Sequence, residues 1–265
     1  MSKYYESPLP SGKNWKLIWN DEFDGDSLDM SKWSFRHHLF HKEYPAYTEE
    51  GVAVFDGCLH IQVVKKDGRY CSAQLQTGEN YLDRPGEGIW PIAPFSKPKF
   101  LHKYGYYECR CRLPRQKGWW AAFWLQSPVI GCSPDPKQSG VEVDIMETFS
   151  DYGVISSETV SNNTHWSGYG KDHKSGGLFP VKLQPTDDGF HVFGVEWSRD
   201  GYVFYTDGVE TNRMTEAVSD VEQFILVTTE CDGFRREEPG PTEDLQKLVL
   251  PDEFTVDYVR VWDEA

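Results

Sequence analysis

Short apolar runs separated by Asp-Gly pairs recur along this chain, and they constrain its fold more than any other feature. The pairs that separate several of these runs begin at Asp56, Asp67, Asp188, Asp200 and Asp207. Such a pair favours the two-residue turn of a β-hairpin, because both of its positions tolerate a positive φ. We therefore predict antiparallel hairpins along most of the chain, including a strong one across residues 197–202.

The segments between these turns have the alternation or apolar character of strands. We predict strands at 16–19, 52–55, 58–64, 106–113, 121–125, 141–147, 191–197, 202–206, 223–228 and 254–262. Only 215–222 has weak helical character, and the turn-rich stretches 78–103, 126–140, 161–188 and 232–250 are expected to form rim loops. Many strands without crossover helices predict an all-β jelly-roll sandwich of two antiparallel sheets. A chain of 265 residues fits one such domain, with 1–14 as an N-terminal extension.

Charge narrows the class of partner. The chain has 27 Lys and Arg residues against 42 Asp and Glu residues, a net charge of −15. An acidic surface repels phosphate backbones, so a nucleic acid partner is excluded, and sulfated or uronic acid polymers are weakly disfavoured. We expect a monomer that binds a neutral polysaccharide or oligosaccharide. Aromatic residues make up 15% of the chain, which supplies rings for the core and for stacking on sugars.

The six cysteines show no metal-ligand spacing. Cys109 and Cys111 lie two apart on a predicted strand, so they share a face, and we favour free thiols over disulfides. Residues 1–19 contain no apolar run of signal-peptide length, and no transmembrane segment follows. These residues leave two alternatives open, a cytoplasmic protein or a secreted one whose leader has been removed.

Three carboxylates lie within one apolar strand, at Glu142, Asp144 and Glu147. Burying them is costly unless they face a shared polar site. In a regular strand Glu147 would point away from the other two, because side chains alternate. A one-residue β-bulge at 145–146 would bring all three to one face, with Val143 and one bulge residue packed behind them. The alternative is a calcium site or an acidic strand edge.

Two carboxyl groups about 5–5.5 Å apart suit a retaining glycosidase. Glu142 would attack the anomeric carbon. Glu147, with a pKa raised by the neighbouring negative charge, would protonate the leaving oxygen and later activate water. Asp144, which lies between them, could hold a proton facing Glu142 and so tune the charge of Glu142 through the reaction cycle.

The segment 142–147 resembles the catalytic signature of family 16 glycoside hydrolases, in the bulged form of laminarinases, agarases and carrageenases. The shorter form, without the extra residue, is that of lichenases and xyloglucan transglycosylases. The resemblance extends over nearly the whole chain, through the segments 19–25, 104–110, 118–125, 190–197 and 256–262. It implies a jelly roll with a cleft across its concave face, and the roles of nucleophile for Glu142, helper for Asp144 and acid/base for Glu147.

The resemblance also implies residues around the cleft. Trp119 and Trp124 match rings on the glycone side, although core filling is the alternative for both. His165 and Trp166 match a cleft-lining pair, and His165 could bond to Glu147 or to the leaving sugar. Arg110 is a candidate for sugar hydroxyls or else a structural ion-pair partner.

A structural calcium is implied in the same way. Many relatives bind one on the convex side, and the matching positions are Glu22, Gly57 and Asp257. Oxygen ligands suit calcium. No metal or other cofactor is expected to take part in catalysis.

Three departures from the family pattern bear on the substrate. An insertion at 78–103 carries Trp90 and Phe95, and the stretch 224–233 lacks the typical Asn-x-Ala-x-Gly-Gly run, so that Glu230 may face the cleft instead. The Asn and Trp expected near 52–55 are missing. β-1,3-Glucan is the leading expectation, followed by neutral β-galactans and then mixed-linkage glucan.

Two other functions compete with an endo-β-glycanase. A non-catalytic carbohydrate-binding jelly roll would not need the acid triad, and a transglycosylase would use the same residues with a sugar as acceptor. The resemblance also implies a secreted, periplasmic or cell-surface location.

Overall fold

The computed structural model describes residues 4–36, 46–79, 97–148, 158–234 and 237–265. These residues form nineteen strands and two four-residue helices. In chain order the strands are β1 Trp15–Asp21, β2 Ser34–Phe35, β3 Ala46–Tyr47, β4 Val52–Phe55, β5 Cys58–Gln62, β6 Val64–Lys66, β7 Arg69–Ser72, β8 Gln74–Gln76, β9 Gly105–Arg112, β10 Trp119–Gln126, β11 Glu142–Glu147, β12 Thr159–Trp166, β13 Lys174–Ser175, β14 Phe179–Lys182, β15 His191–Ser198, β16 Gly201–Thr206, β17 Val209–Met214, β18 Phe224–Cys231 and β19 Glu253–Glu264. The helices are α1 Pro136–Ser139 and α2 Glu243–Gln246.

Two antiparallel sheets of eight strands each make the sandwich. The first sheet runs β17-β16-β15-β9-β19-β5-β4, with β1 paired to β19, and the second runs β13-β12-β11-β10-β18-β8-β2, with β14 paired to β12. A small third sheet, β3-β7-β6, contains the parallel pair β3–β7. The predicted all-β jelly-roll class is confirmed.

One apolar cluster fills the space between the two large sheets. It takes alternate residues from the central strands, including Cys109 and Cys111 from β9 and Phe123 and Leu125 from β10. All six cysteines are free, as predicted. Each sheet therefore has a core face and an outer face, and the residues between the core positions belong to the outer face.

Three of the Asp-Gly pairs form tight turns of the predicted kind, whereas Asp188-Gly189 is a bend between β14 and β15, which do not pair with each other. At Asp56-Gly57, Asp67-Gly68 and Asp207-Gly208 both residues have a positive φ, between 50° and 77°. This is the combination that a two-residue hairpin turn requires. The predicted hairpin across 197–202 is confirmed by the pairing of β15 with β16.

Two expectations about local structure are wrong. Residues 215–222 are not helical, and the two short helices lie within 126–140 and 232–250, which were expected to be rim loops. Capping side chains favour these helices, because the side-chain oxygens of Asp135 and Thr242 accept from backbone N–H groups in the first turns of α1 and α2.

The stretch 161–188 contains most of β12 and all of β13 and β14, so it is not a simple loop. Of the expected insertion at 78–103, Trp90 and Phe95 lie outside the described residues. Neither described helix is long enough to cross a bilayer, which takes about 20 residues.

Candidate active site

A β-bulge in β11 brings the three acids to one face. Opposite β10, Asp144 pairs with Trp124 and Met146 with Phe123, so Ile145 is the extra residue. The predicted bulge is confirmed. Val143, Ile145 and Met146 all belong to the core cluster, so both bulge residues pack behind the acids, where one was expected. The outer face of the second sheet, carrying Glu142, Asp144 and Glu147, is called the acid face below.

Glu142 accepts hydrogen bonds from two side chains that the sequence analysis did not select. The Tyr169 hydroxyl donates to its Oε2, and the Gln126 amide donates to the same oxygen at 3.1 Å. Gln126 also donates to the Tyr169 hydroxyl oxygen. Gln126 lies two residues beyond Trp124 on β10, so extending the strand alternation by one step would have found it. Tyr169 lies in a loop and gives no such signal.

A buried cation supports this arrangement. Arg36 is 1% exposed and follows β2, and its Nη2 donates to Gln126 Oε1 at 3.3 Å while its Nη1 donates to Gln74 Oε1 at 3.2 Å. Its guanidinium lies 5.2 Å from the centre of the Trp124 ring. A guanidinium stays protonated even when buried. The acid face therefore holds a fixed positive charge close to the proposed nucleophile.

Burial and then the negative charge of Asp144 raise the pKa of Glu142 to about 7. His165, the Tyr169 hydroxyl and Arg36 act in the opposite direction. Negative neighbours were expected to raise the pKa of Glu147, and the same cause acts here on Glu142. Near neutral pH Glu142 is therefore only partly ionised.

His165 lies beside Asp144 and opposite Glu142. Its Nε2 is 3.3 Å from Asp144 Oδ2, and its Nδ1 is 2.8 Å from His173 Nε2. It is Ser161 that stands opposite Glu147 across the strand pair, so the sequence placed His165 at the site but beside a different acid. The two imidazole rings stack with centres 5.0 Å apart.

The two predicted tryptophans of β10 lie on opposite faces. The register of β10 with β18 is continuous from Trp119 to Gln126, so residues five apart must point in opposite directions. Trp119 is in the core cluster and donates from Nε1 to Asp252 at 2.8 Å, so its assignment to the cleft was wrong. Trp124 lies on the acid face, where its Nε1 donates to Thr228 at 2.8 Å. Trp120, which the sequence analysis did not select, shares that face.

Glu230 and Trp166 have different positions. Glu230 pairs with Trp120 and lies on the acid face, where it was expected. Trp166 belongs to the core cluster between the two sheets, so the structure does not place it in a sugar-binding position.

Arg110 belongs to the other side of the molecule. It lies on β9 and projects from the outer face of the first sheet, where it pairs with Asp257 at 2.7 Å and with Asp188. The alternative of a structural ion pair is correct, and its assignment to sugar binding was wrong. The physical reason is strand alternation, because Cys109 and Cys111 on either side of it face the core.

The two carboxylates expected to bind calcium, those of Glu22 and Asp257, already accept hydrogen bonds from arginines. Both carboxylate oxygens of Glu22 accept from Arg260, at 2.8 and 2.7 Å, and Asp257 Oδ2 accepts from Arg110. Gly57 lies in the turn between β4 and β5. A calcium ion bound by these carboxylates would lie beside two guanidinium groups, so the donor set does not fit it.

Three donor atoms on the acid face, from Glu142, Asp144 and His165, lie within 4.8 Å of one another. This distance alone would admit a cation. We interpret the group as acid–base machinery, because an added cation would be repelled by Arg36.

Comparison with known proteins identifies the family. The sequence profile described as the GH16 domain of beta-porphyranases A–D matches residues 15–264. A "Beta-glucanase" of Rhodothermus marinus is 27% identical over 94% of this chain and 85% of its own length. "Beta-porphyranase C" of Zobellia galactanivorans is 25% identical over 97% of this chain and 80% of its own. The catalytic domain of an endo-1,3-beta-glucanase (laminarinase) from Thermotoga petrophila superposes with a TM-score of 0.69 at 26% identity, covering 95% of this chain and 99% of that one.

Proposed function

The chain belongs to family 16 of the glycoside hydrolases and is an endo-acting enzyme, and from this premise we propose that it hydrolyses internal β-1,3 linkages of a neutral glucan with retention of configuration. The observation that carries the proposal is the bulge at Ile145, which places Glu142, Asp144 and Glu147 on one face of β11. Three acids on one face of a strand supply a nucleophile, a proton holder and an acid/base within one short segment.

In the first step Glu142 attacks the anomeric carbon and the glycosidic bond breaks, while Glu147 gives its proton to the leaving oxygen. In the second step Glu147 takes a proton from water, and the water oxygen replaces Glu142 at the same carbon. Asp144, on the same face of β11, acts as the helper that tunes the charge of Glu142. Trp124 and Trp120 supply rings on which sugars stack, and Glu230 accepts from sugar hydroxyls.

Support for a glucan comes from the relatives named as glucanases, among them the Rhodothermus enzyme. The second candidate substrate is a β-galactan, which the match to the porphyranase profile favours. The net charge of −15 favours the neutral glucan over a sulfated galactan. Because a polysaccharide is too large to be taken up intact, we infer that the enzyme acts outside the cytoplasm.

The test is incubation of the purified protein with laminarin, lichenan, agarose and porphyran, followed by sizing of the products and by NMR of the anomeric protons as they are released. We expect laminarin to be cut to short oligosaccharides whose first-formed reducing ends are β. If only agarose or porphyran is cut, the substrate is a galactan and not a glucan. If no polymer is cut, or if α ends form first, the proposal fails.

A further inference from the structure

We propose that Tyr169 is a positioning residue for the nucleophile. Its hydroxyl, together with the Gln126 amide, holds Glu142 by Oε2 and leaves Oε1 to form the bond to the anomeric carbon. This inference rests on the proposed function, because it assigns Glu142 the role of nucleophile. Neither Tyr169 nor Gln126 belongs to the acid-bearing strand.

The loop after β12 fixes the place of Tyr169. Ser167 and Gly168 have φ values of 63° and 74°, and a Cβ on Gly168 would lie 3.1 Å from the Cα of Gly131. The Ser167 hydroxyl donates to the Pro134 carbonyl at 3.0 Å. On its other side the Tyr169 ring stacks with His173, with centres 6.2 Å apart. The hydroxyl is therefore aimed by backbone packing before Tyr169 and by ring stacking after it.

The orientation of the second donor is also determined. An amide side chain can be turned by 180°, and the hydrogen bonds around it decide which end is nitrogen. Arg36 has only donors, and its Nη2 faces one end of the Gln126 amide, so that end must be Oε1. The amide nitrogen then has to face Glu142. Arg36 thus sets Gln126 as a donor to the nucleophile.

The charges around Glu142 show what these donors do. From its own strand Asp144 opposes ionisation, whereas His165 on β12, Tyr169 in the following loop and Arg36 beside β2 favour it. Burial raises the pKa of the Tyr169 hydroxyl well above its ordinary value, so the hydroxyl keeps its proton and remains a donor at neutral pH. Hydrogen bonds to the charged form of a carboxyl favour that form. Tyr169 therefore lowers the pKa of Glu142, against burial and the repulsion of Asp144, which raise it.

The test measures the ionisation of Glu142 without requiring turnover. Protein labelled with ¹³C at the glutamate carboxyl carbons is titrated by NMR, and Glu142→Gln identifies the resonance. In Tyr169→Phe, which keeps the ring that stacks on His173, we expect the Glu142 midpoint to rise by about one pH unit. The acidic limb of kcat/KM on the polymer that the protein cuts should rise by the same amount, and kcat should fall about tenfold.

The control is Tyr70→Phe, which removes a hydroxyl that donates to the Gln246 carbonyl at 3.3 Å, away from the acid face. It should leave both the midpoint and the pH profile unchanged. A folded Tyr169→Phe protein with an unchanged Glu142 midpoint overturns the inference. If that variant does not fold, Gln126→Met takes its place, because it removes the other donor to Glu142. The same rise of the Glu142 midpoint is then expected. A shifted midpoint in a protein that cuts no polymer would sink the proposed function and leave the Tyr169–Glu142 contact established.

Discussion

The outer faces of the two large sheets both carry buried charge, but they balance it differently. On the first sheet, Glu22 is matched by Arg260 and Asp257 by Arg110, at 2.7–2.8 Å. We call this the arginine face. On the acid face, three carboxylates share one strand, and Arg36 is the guanidinium that favours ionisation of Glu142.

The difference teaches which charges serve the fold and which serve the reaction. A buried carboxylate paired with a guanidinium has its charge balanced and its oxygens occupied. Glu142 is buried beside Asp144 and only partly compensated, so it keeps its proton to a higher pH than an ordinary glutamate, at a cost in stability. Burial also raises the pKa of Glu108 on the arginine face to about 7, so what distinguishes the acid face is the second carboxylate on the same strand, Asp144, which opposes the ionisation of Glu142.

The comparison breaks most visibly when one acid is neutralised on each face. Glu142→Gln should lower kcat roughly 10⁴-fold or more, because the nucleophile is lost. Glu147→Gln should lower it about 10²–10⁴-fold on a polymer whose leaving sugar needs a proton. The measurement is the steady-state rate on the polymer that the wild-type protein cuts.

Glu22→Gln on the arginine face is the matched control. It removes the same charge and should change kcat less than about threefold, while lowering the melting temperature. Near-normal rates in either acid-face variant would mean that the roles of nucleophile and acid/base are assigned to the wrong residues.

The second contrast concerns stability. Arg260 has a fully buried side chain that bonds Glu22, the Tyr5 carbonyl and the Ser7 hydroxyl. Arg260→Met should lower the free energy of unfolding by about 3 kcal/mol, because it leaves the partly buried Glu22 without its cation. Arg213→Met is the control, since Arg213 pairs with Glu210 while 62% exposed, and it should cost less than about 1 kcal/mol. Urea unfolding checks both, and equal losses would show that burial of the pair does not matter.

The sequence was informative where one strand carries the signal. Alternation along 142–147 required a bulge, and the structure has it at Ile145. Alternation also predicts that Trp119 and Trp124 point to opposite faces of the sheet. The family resemblance implied that both line the cleft, but Trp119 is a core residue. At these positions strand alternation was a better guide to the face of the sheet than the resemblance to the family.

The remainder of the site depends on contacts between distant segments. Tyr169 lies in a loop, Gln126 on β10 and Arg36 just after β2, and no periodicity links them. The pairing of Arg110 with Asp257 and Asp188 depends on which face of the first sheet each residue occupies. Such partners follow from the three-dimensional register of the sheets, which a single sequence does not specify.

The smallest effect expected is that of calcium. If the arginine face held the ion implied by the family resemblance, calcium at 100 times its dissociation constant would stabilise the fold by about 2.7 kcal/mol. Because Arg260 and Arg110 already hold the carboxylates of Glu22 and Asp257, we expect melting temperatures in millimolar calcium, in EDTA and in millimolar magnesium to coincide. A rise of several degrees in calcium alone would show that the ion displaces the guanidinium groups. In that case Arg260→Met should strengthen the response to calcium, because the carboxylate that it frees needs a new cation.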